Sequence, residues 1–276
     1  EYNALKLSSM LNRVEERLEG SVQISLDNKI KNHKLRSALD YLNQISFTVD
    51  GTSNKTIDLL SNDAMCLLGN SRMTNLMLTK LTVHCLLPKK YGGFRNSKVF
   101  ILDAGNCTDV YQFVDFMKQY GLNIKKNLKK IMISRVFTVY QLTHFLKYEL
   151  PKTVHDYRIN IVIIPDLLAM FLRESEMDFN EVKFLLTEII NILKTITHEG
   201  KVLLITSLSL DDKLPPFIIE LVNMIVKYFS KCVRIDNNKT NNKFKIIIQQ
   251  KQDADYIAVK KYTSLTAEDV LTVKGR

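Results

Sequence analysis

The residues from Gly69 to Thr74 have part of a pattern that holds nucleotide phosphates. The apolar segment MCLL (65–68) is followed by Gly69, a short polar turn and a helix-like series from Thr74. A full phosphate loop reads G-x-x-x-x-G-K-[ST], because its glycines turn backbone N–H groups toward the phosphates and its lysine reaches the outer ones. The second glycine and the lysine are absent, and Arg72 does not replace that lysine. The predicted cofactor site, weak or lost, comprises Gly69, Ser71, Arg72, Thr74 and Asn75.

A carboxylate follows another apolar strand. Asp166 comes after INIVII (159–164) and Pro165, a position suited to a hydrated Mg²⁺ beside a phosphate loop. An aspartate at a strand end is also a common helix cap. Thr74 and Asp166 together form the predicted metal site. Inserting Gly-Lys before Thr74 would give GNSRMGKTN, a complete motif, so a two-residue omission from the sequence is an alternative explanation of the incomplete loop.

Other catalytic patterns are absent from the sequence. The five histidines lack metal-ligand spacing, no G-x-S-x-G occurs, and the four cysteines contain no C-x-x-C. No apolar run reaches the roughly 18 residues that span a bilayer, and the first residues lack a signal-peptide core. We therefore expect a reducing intracellular location, cytoplasmic or, in a eukaryote, nuclear.

Apolar strands alternate with amphipathic helices along most of the chain. Buried strands are predicted at 65–68, 98–103, 131–136, 159–164 and 201–206. One intervening helix, capped by Thr138, is expected to stop before Pro151. The pattern predicts an α/β fold with a mostly parallel sheet covered by helices on both faces and C-terminal antiparallel strands. Residues 1–45 are predicted to be an N-terminal helical or linker segment, and residues 46–276 the core domain.

The charge favours an anionic partner. The net charge is +10 and the chain contains 39 lysines and arginines. Such an excess is typical of proteins that bind nucleic acid or another polyanion, although a solubility bias is the alternative. Several lysines occur as pairs, among them Lys125–Lys126 and Lys129–Lys130.

From about Thr48 onward the chain resembles the core ATPase domain of the RecA/RadA recombinases, with a RecA-like fold. The segments that carry the resemblance are VDGTSNKTIDLL, LLGNSRMTNLMLTKLTVHCLLPKKYGG, KVFILDAGNCTDVYQF, IMISRVFTVYQL, RINIVIIPDLLAMFLRE and KVLLITS. The resemblance implies an ATP and Mg²⁺ site at Thr74 and Asp166 and a DNA-facing loop after the third core strand. In that loop Arg135 matches the family's arginine, while aromatic side chains could stack on bases or instead pack in the core. The predicted DNA contacts are Arg135, Phe137, Tyr140, Gln141, Lys125, Lys126, Lys129 and Lys130.

Four departures from the family pattern concern activity. Gly105 stands where the resemblance places the catalytic carboxylate, so the base that activates water is missing. The family's Asn-Gln sensor reads Thr206–Ser207, the following DNA-binding loop is reduced to SLDDKLPP, and no Phe-x-x-Ala occurs near the N-terminus. No catalytic residue is therefore predicted.

Three functions fit these features. The first is a non-catalytic RadA-like paralogue that binds single- or double-stranded DNA and assists homologous recombination or repair, with a recombinase or another repair protein as partner. The second is an active DNA-dependent ATPase whose loop is incompletely represented. The third is a scaffold or regulatory subunit that uses the RecA-like surface for protein contacts only.

Overall fold

The computed structural model describes residues 44–48, 56–94, 96–173, 177–210, 215–238, 243–252 and 255–266. The predicted N-terminal segment lies almost wholly outside these residues, and its boundary with the core stays a prediction. Part of SLDDKLPP (211–214) also lies outside them. Within the described residues, no helix is both long and apolar enough to cross a membrane.

Eight strands form one central sheet in the order β10-β9-β8-β3-β7-β6-β4-β5. The six strands from β8 to β5 are mutually parallel, while β9 and β10 pair antiparallel beyond β8. A separate antiparallel hairpin is formed by β1 and β2. In chain order the strands are β1 Gln44–Thr48, β2 Thr56–Leu60, β3 Ala64–Gly69, β4 Val99–Asp103, β5 Ile131–Arg135, β6 Ile161–Ile164, β7 Leu203–Ser209, β8 Lys231–Asn238, β9 Lys243–Gln252 and β10 Asp255–Leu265.

Helices cover both faces of the sheet. They are α1 Ser71–Cys85, α2 Val110–Gln119, α3 Ile124–Leu128, α4 Val139–His144, a π-helical turn Phe145–Glu149, α5 Leu150–Tyr157, α6 Ala169–Arg173, α7 Phe179–Glu199 and α8 Pro216–Val226; a 3₁₀ turn spans Lys89–Tyr91. Alternate residues of β3 enter different cores, as side chains of a strand must. Cys66 packs among residues of α4 to α8, whereas Met65 and Leu67 pack among residues of α1, α2 and the hairpin. The predicted α/β fold with C-terminal antiparallel strands is confirmed.

The helix after Thr138 continues past Pro151, so the prediction that it stops there is wrong. In a regular helix the proline ring would collide with the carbonyl group four residues earlier. Here the preceding turn is π-helical, and the N–H of Leu150 donates to the carbonyl oxygen of Phe145, five residues back. Pro151 then occupies the first turn of α5, where its missing N–H has no cost.

The β1–β2 hairpin is anchored to α1 through His84. The Nε2 atom of this buried side chain lies 2.9 Å from the carbonyl oxygen of Ser46, and its ring meets Phe47 edge to face. The N–H of Ser46 also donates to the carbonyl oxygen of Gly92 at 3.1 Å. These contacts fix the hairpin against the sheet face that α1 covers.

Candidate functional site

The connection between β3 and α1 is a single residue. β3 ends at Gly69 and α1 begins at Ser71, so only Asn70 lies between them. The Asn70 side chain caps the helix, since its Oδ1 accepts the N–H of Arg72 at 3.0 Å. A phosphate loop needs several residues between strand and helix to surround a phosphate group. The strand therefore passes directly into the helix at the place where such a loop would lie.

Gly69 is needed where strands approach one another. Its φ is +148°, and a Cβ atom there would lie 2.4 Å from the carbonyl oxygen of Ile235 in the neighbouring strand β8. On its other side it pairs with Ser209 of β7. The glycine thus allows close packing of three strand ends, a role that requires no nucleotide.

The remaining predicted cofactor residues form the first turn of α1. Thr74 is fully buried, and its hydroxyl donates within the helix to the carbonyl oxygens of Asn70 (3.2 Å) and Ser71 (3.1 Å). Ser71 and Arg72 are exposed, and Asn75 is partly buried. The structure brings the five predicted residues together, but their role in binding a cofactor stays a prediction.

Asp103 organises the turn after β4. Its carboxylate is fully buried and accepts the N–H groups of Cys107 (3.0 Å) and Thr108 (3.2 Å). The Nε of Arg135, at the end of the adjacent strand β5, lies 3.4 Å from Asp103 Oδ2. Burial of a carboxylate requires such donors and a nearby cation. Sequence reasoning placed Asp103 at a strand end but did not assign it this role; its position before a Gly-Asn turn was the available signal.

Gly105 lies against the turn that contains Asp166. Its N–H donates to the carbonyl oxygen of Pro165 at 3.1 Å, and its own carbonyl oxygen accepts from the guanidinium group of Arg173 at 3.0 Å. A Cβ atom at Gly105 would lie 2.8 Å from the Cβ of Asp166 and 3.0 Å from the Sγ of Cys107. The space that a side chain would need at this position is already filled.

Asp166 joins the ends of β6 and β7. Its backbone is left-handed, with φ of +46°. Its N–H donates to the hydroxyl oxygen of Ser207 at 2.9 Å, and its Oδ1 accepts the N–H of Ser209 at 3.1 Å. The hydroxyl groups of Ser207 and Thr206 both make hydrogen bonds between these strand ends, since the buried Thr206 hydroxyl also donates to the carbonyl oxygen of Ile164 at 2.7 Å.

Cys107 has an unreactive environment. Burial, followed by the negative charges of Asp103 and Asp166, raises the pKa of the Cys107 thiol to about 12, while its hydrogen bond to Asn75 acts in the opposite direction. The thiol donates to Asn75 Oδ1 at 3.5 Å. A protonated thiol is a poor nucleophile, so this cysteine has no catalytic character at neutral pH.

A small cavity lies beneath the same turn. Its volume is about 20 Å³, and Asn75, Thr79, Cys107, Thr108 and Pro165 contribute to its lining. The Oγ1 of Thr108 is buried and has no hydrogen-bond partner within the described part of the chain. This volume suits one water molecule rather than an organic ligand. Among the described residues, no group of three or more His, Cys, Asp or Glu side chains is arranged to hold a metal ion.

Four of the predicted DNA contacts lie together at the carboxyl end of β5. Phe137 and Tyr140 expose 67% and 55% of their surface, so core packing does not account for these aromatic side chains. Gln141 Oε1 accepts the N–H of Phe137 at 2.9 Å, and the Tyr140 hydroxyl donates to Glu181 Oε1 at 2.5 Å. Arg135 is exposed beside them. The segment from the end of β5 to the start of α4 therefore presents one cation and two aromatic rings at the carboxyl end of the sheet.

The four predicted lysine contacts lie at the opposite end of β5. Lys125 and Lys126 belong to α3, and Lys129 and Lys130 directly precede β5. The carbonyl oxygen of Lys130 accepts the N–H of Val99 at the amino end of β4. Lys130, the nearest of these lysines along the strand, precedes Arg135 by five residues, or about 16 Å of extended chain. The sequence prediction combined two groups that the sheet keeps apart, and DNA binding by either group stays a prediction.

Comparison with known protein families identifies a match. The family described as Rad51 matches residues 59–210, which is more than half of the chain. The matched region runs from the end of β2 to the residue after β7 and contains Gly69, Asp103, Arg135 and Asp166. Comparison with curated proteins finds no match.

Proposed function

The chain belongs to the Rad51 family, and from this premise we propose that it is a non-catalytic member that binds DNA and assists homologous recombination or DNA repair. Recombinases of this family bind ATP with Mg²⁺ and act on DNA. We propose that this protein shares the DNA-related function of these recombinases but does not hydrolyse ATP. Its partner would be DNA together with a recombinase or another repair protein.

The single-residue connection between β3 and α1 is the main support for this proposal. Phosphate groups are held by several consecutive backbone N–H groups and a lysine. Here the first helical turn follows the strand at once, and the Asn70 side chain already occupies the N–H of Arg72. The Thr74 hydroxyl, which would ligate Mg²⁺, donates inside the helix instead. These residues do not fit Mg-ATP, so we derive no reaction step through it.

The surroundings of Gly105 support the loss of hydrolysis separately. Activation of water requires a base within hydrogen-bond reach of the attacking oxygen. Gly105 supplies none, and the contact between its hypothetical Cβ and Asp166 leaves no space for a carboxylate side chain. Even with a complete phosphate loop, the site would lack its base.

DNA binding is supported by charge and by the exposed loop after β5. The net charge of +10 favours a polyanionic partner. Arg135 can contact phosphate, although the buried carboxylate of Asp103 neutralises part of its charge. The exposed rings of Phe137 and Tyr140 suit stacking on unpaired bases, which is tolerant of sequence.

A scaffold role is the second candidate, and one observation favours it. Phe184 of α7 exposes 68% of its surface on the helical layer, where Phe217 of α8 is also exposed. Exposed aromatic side chains are enriched at protein interfaces. This candidate predicts that the protein does not bind DNA even at low salt.

Fluorescence anisotropy of labelled DNA would test the proposal. We expect the protein to bind both a 30-nucleotide single strand and its duplex at about 50 mM salt, and to bind much more weakly at about 200 mM, because phosphate contacts release counterions. An absence of binding to both DNAs at the lower salt concentration would contradict the proposal and favour the scaffold. Measurable DNA-stimulated ATP hydrolysis would instead favour an active ATPase.

A further inference from the structure

We propose that the amino-terminal end of the sheet carries a second phosphate-binding surface for DNA, separate from the loop after β5. This inference rests on the proposed DNA-binding function and adds a site to it. The surface consists of one basic residue before each of four adjacent strands, which we call the amino-edge row, and three exposed lysines beside it. The row comprises Lys130, Lys98, Arg158 and Lys201, and the flanking lysines are Lys125, Lys126 and Lys129.

Backbone hydrogen bonds show that the segments of the row are adjacent. The N–H of Val99 donates to the carbonyl oxygen of Lys130 at 2.9 Å, and the N–H of Asn160 donates to that of Lys98 at 3.3 Å. The N–H of Leu203 donates to the carbonyl oxygen of Asn160 at 3.0 Å. The row therefore follows the sheet order β5-β4-β6-β7. Four strands spaced about 4.8 Å apart place its ends about 14 Å from each other.

The charges of this surface are not neutralised by acidic side chains. None of its seven basic residues forms an ion pair within the described residues, whereas Lys147, Lys183 and Lys231 elsewhere each do. Lys98 Nζ donates to the carbonyl oxygen of Tyr157 at 2.8 Å, and Lys130 Nζ to Asn127 Oδ1 at 3.1 Å. Both acceptors are uncharged.

Basic side chains within this surface repel one another. Partial burial, followed by the positive charge of Lys126, lowers the pKa of Lys130. The nearest acidic residues along the chain are Asp156, whose Oδ1 lies 3.0 Å from His155 Nδ1, and Glu199 at the end of α7. A polyanion placed here would relieve the repulsion without displacing an existing ion pair.

The shape of the surface fits a nucleic-acid backbone better than a small anion. The charges form a line rather than a pocket, and one DNA strand presents a phosphate about every 3.4 Å along the helix axis. A row of about 14 Å is therefore long enough to contact several successive phosphates. Tyr157, which is 54% exposed next to Arg158, adds an aromatic ring that can stack on an unpaired base.

The salt dependence of DNA binding would test the surface. The first variant is Lys129→Gln/Arg158→Asn/Lys201→Asn, since the backbones of Arg158 and Lys201 are left-handed (φ of 54° and 49°) and asparagine tolerates that conformation. A second variant, Lys125→Gln/Lys126→Gln/Lys129→Gln, changes only exposed side chains. The control, Lys147→Gln/Lys183→Gln/Lys194→Gln, removes three charges from the helical layer, two of which form ion pairs with glutamates. Circular dichroism would verify folding of each.

Each phosphate contact contributes about −0.9 to the slope of log K against log salt for duplex DNA. We expect each test variant to reduce the magnitude of this slope by about 2 and to weaken binding at least 10-fold at about 50 mM salt. The control should change the slope by less than half as much. Wild-type binding with equal slopes in test and control variants would overturn this inference alone. Absence of wild-type DNA binding would overturn the proposed function as well. If the test variants lost binding to phosphatidylserine vesicles but bound DNA as the wild type does, the surface would be assigned to a membrane and the DNA site would be overturned.

Discussion

A Cβ atom at Gly105 would lie 2.8 Å from the Cβ of Asp166, closer than carbon atoms pack in proteins. The turns after β4 and β6 therefore leave no space for a side chain at position 105. The N–H of Gly105 and the carbonyl oxygen of Pro165 hold them together. Position 105 therefore lacks a side chain, and the surrounding turns pack so closely that replacing the glycine alone would not make room for one.

Substitution of Gly105 is expected to destabilise the fold. Gly105→Ala should lower the free energy of unfolding by about 1 to 3 kcal/mol, the usual effect of overpacking, and Gly105→Glu should lower it further without creating ATPase activity. Denaturant unfolding gives the first quantity and phosphate release the second. Gly121→Asn is the control, because a Cβ there meets no atom within 4 Å and asparagine tolerates its φ of +65°. Hydrolysis of ATP by Gly105→Glu would contradict this account.

Gly69 is expected to matter for stability and not for ligand binding. In Gly69→Ala the new Cβ would meet the backbone oxygen of Ile235 at 2.4 Å, and φ is also positive. We expect a loss of about 3 kcal/mol or more in the free energy of unfolding. Gly121→Ala has the positive φ without the collision, so it should lose only about 1 to 2 kcal/mol. Equal thermal stability of the two variants would show that Gly69 is not a close-packing glycine.

Phe137 is expected to contribute to single-stranded DNA binding. Loss of one stacked base costs about 1 to 3 kcal/mol, so Phe137→Ala should weaken binding by about 5-fold to 150-fold. Phe184→Ala is a matched control, because that ring is equally exposed but lies on α7. Anisotropy with an unlabelled competitor would measure both. An equal loss in the two variants would argue against stacking on Phe137.

The raised pKa of Cys107 predicts a loss of stability at alkaline pH. An unfolded cysteine releases its proton near pH 8.5, whereas the folded Cys107 keeps its proton until about pH 12. Between these values the unfolded state binds fewer protons, so the free energy of unfolding falls as pH rises. Burial raises the pKa of Cys66 and Cys85 in the same direction. We expect the free energy of unfolding in urea to fall less steeply between pH 8.5 and 11 in Cys107→Ala than in the wild type. The difference in slope should be smaller than about 1.4 kcal/mol per pH unit, the limit for one proton. An unchanged slope would refute this assignment.

The fold followed from the sequence because its strands are apolar on both faces and its helices have clear periodicity. The β6 strand IVII is fully buried, as such a run predicts. The π-helical turn before Pro151 was not predicted, because a proline usually ends a helix and the wider turn that accommodates it has no local signature. Sequence reasoning also grouped Arg135 with Lys129. The strand predicted at 131–136 already places Lys129 before its start and Arg135 at its end, and β5 confirms that they lie at opposite ends.

The site was partly predictable. The missing lysine of the phosphate loop is visible in the sequence, but the direct passage from Gly69 to Ser71 is not. The crowding at Gly105 depends on Asp166, a contact between residues far apart in sequence. Long-range contacts of this kind are set by packing rather than by local pattern.

The effect of Mg-ATP on DNA affinity tests the central claim most directly. If nucleotide does not bind, it cannot change the affinity for DNA, because coupling between two ligands is reciprocal. We predict the same dissociation constant for a labelled single strand at about 50 mM salt with no nucleotide and with saturating Mg-ATP. A change of 5-fold or more that requires ATP would contradict the claim and show that the turn from Gly69 to Thr74 still holds a nucleotide.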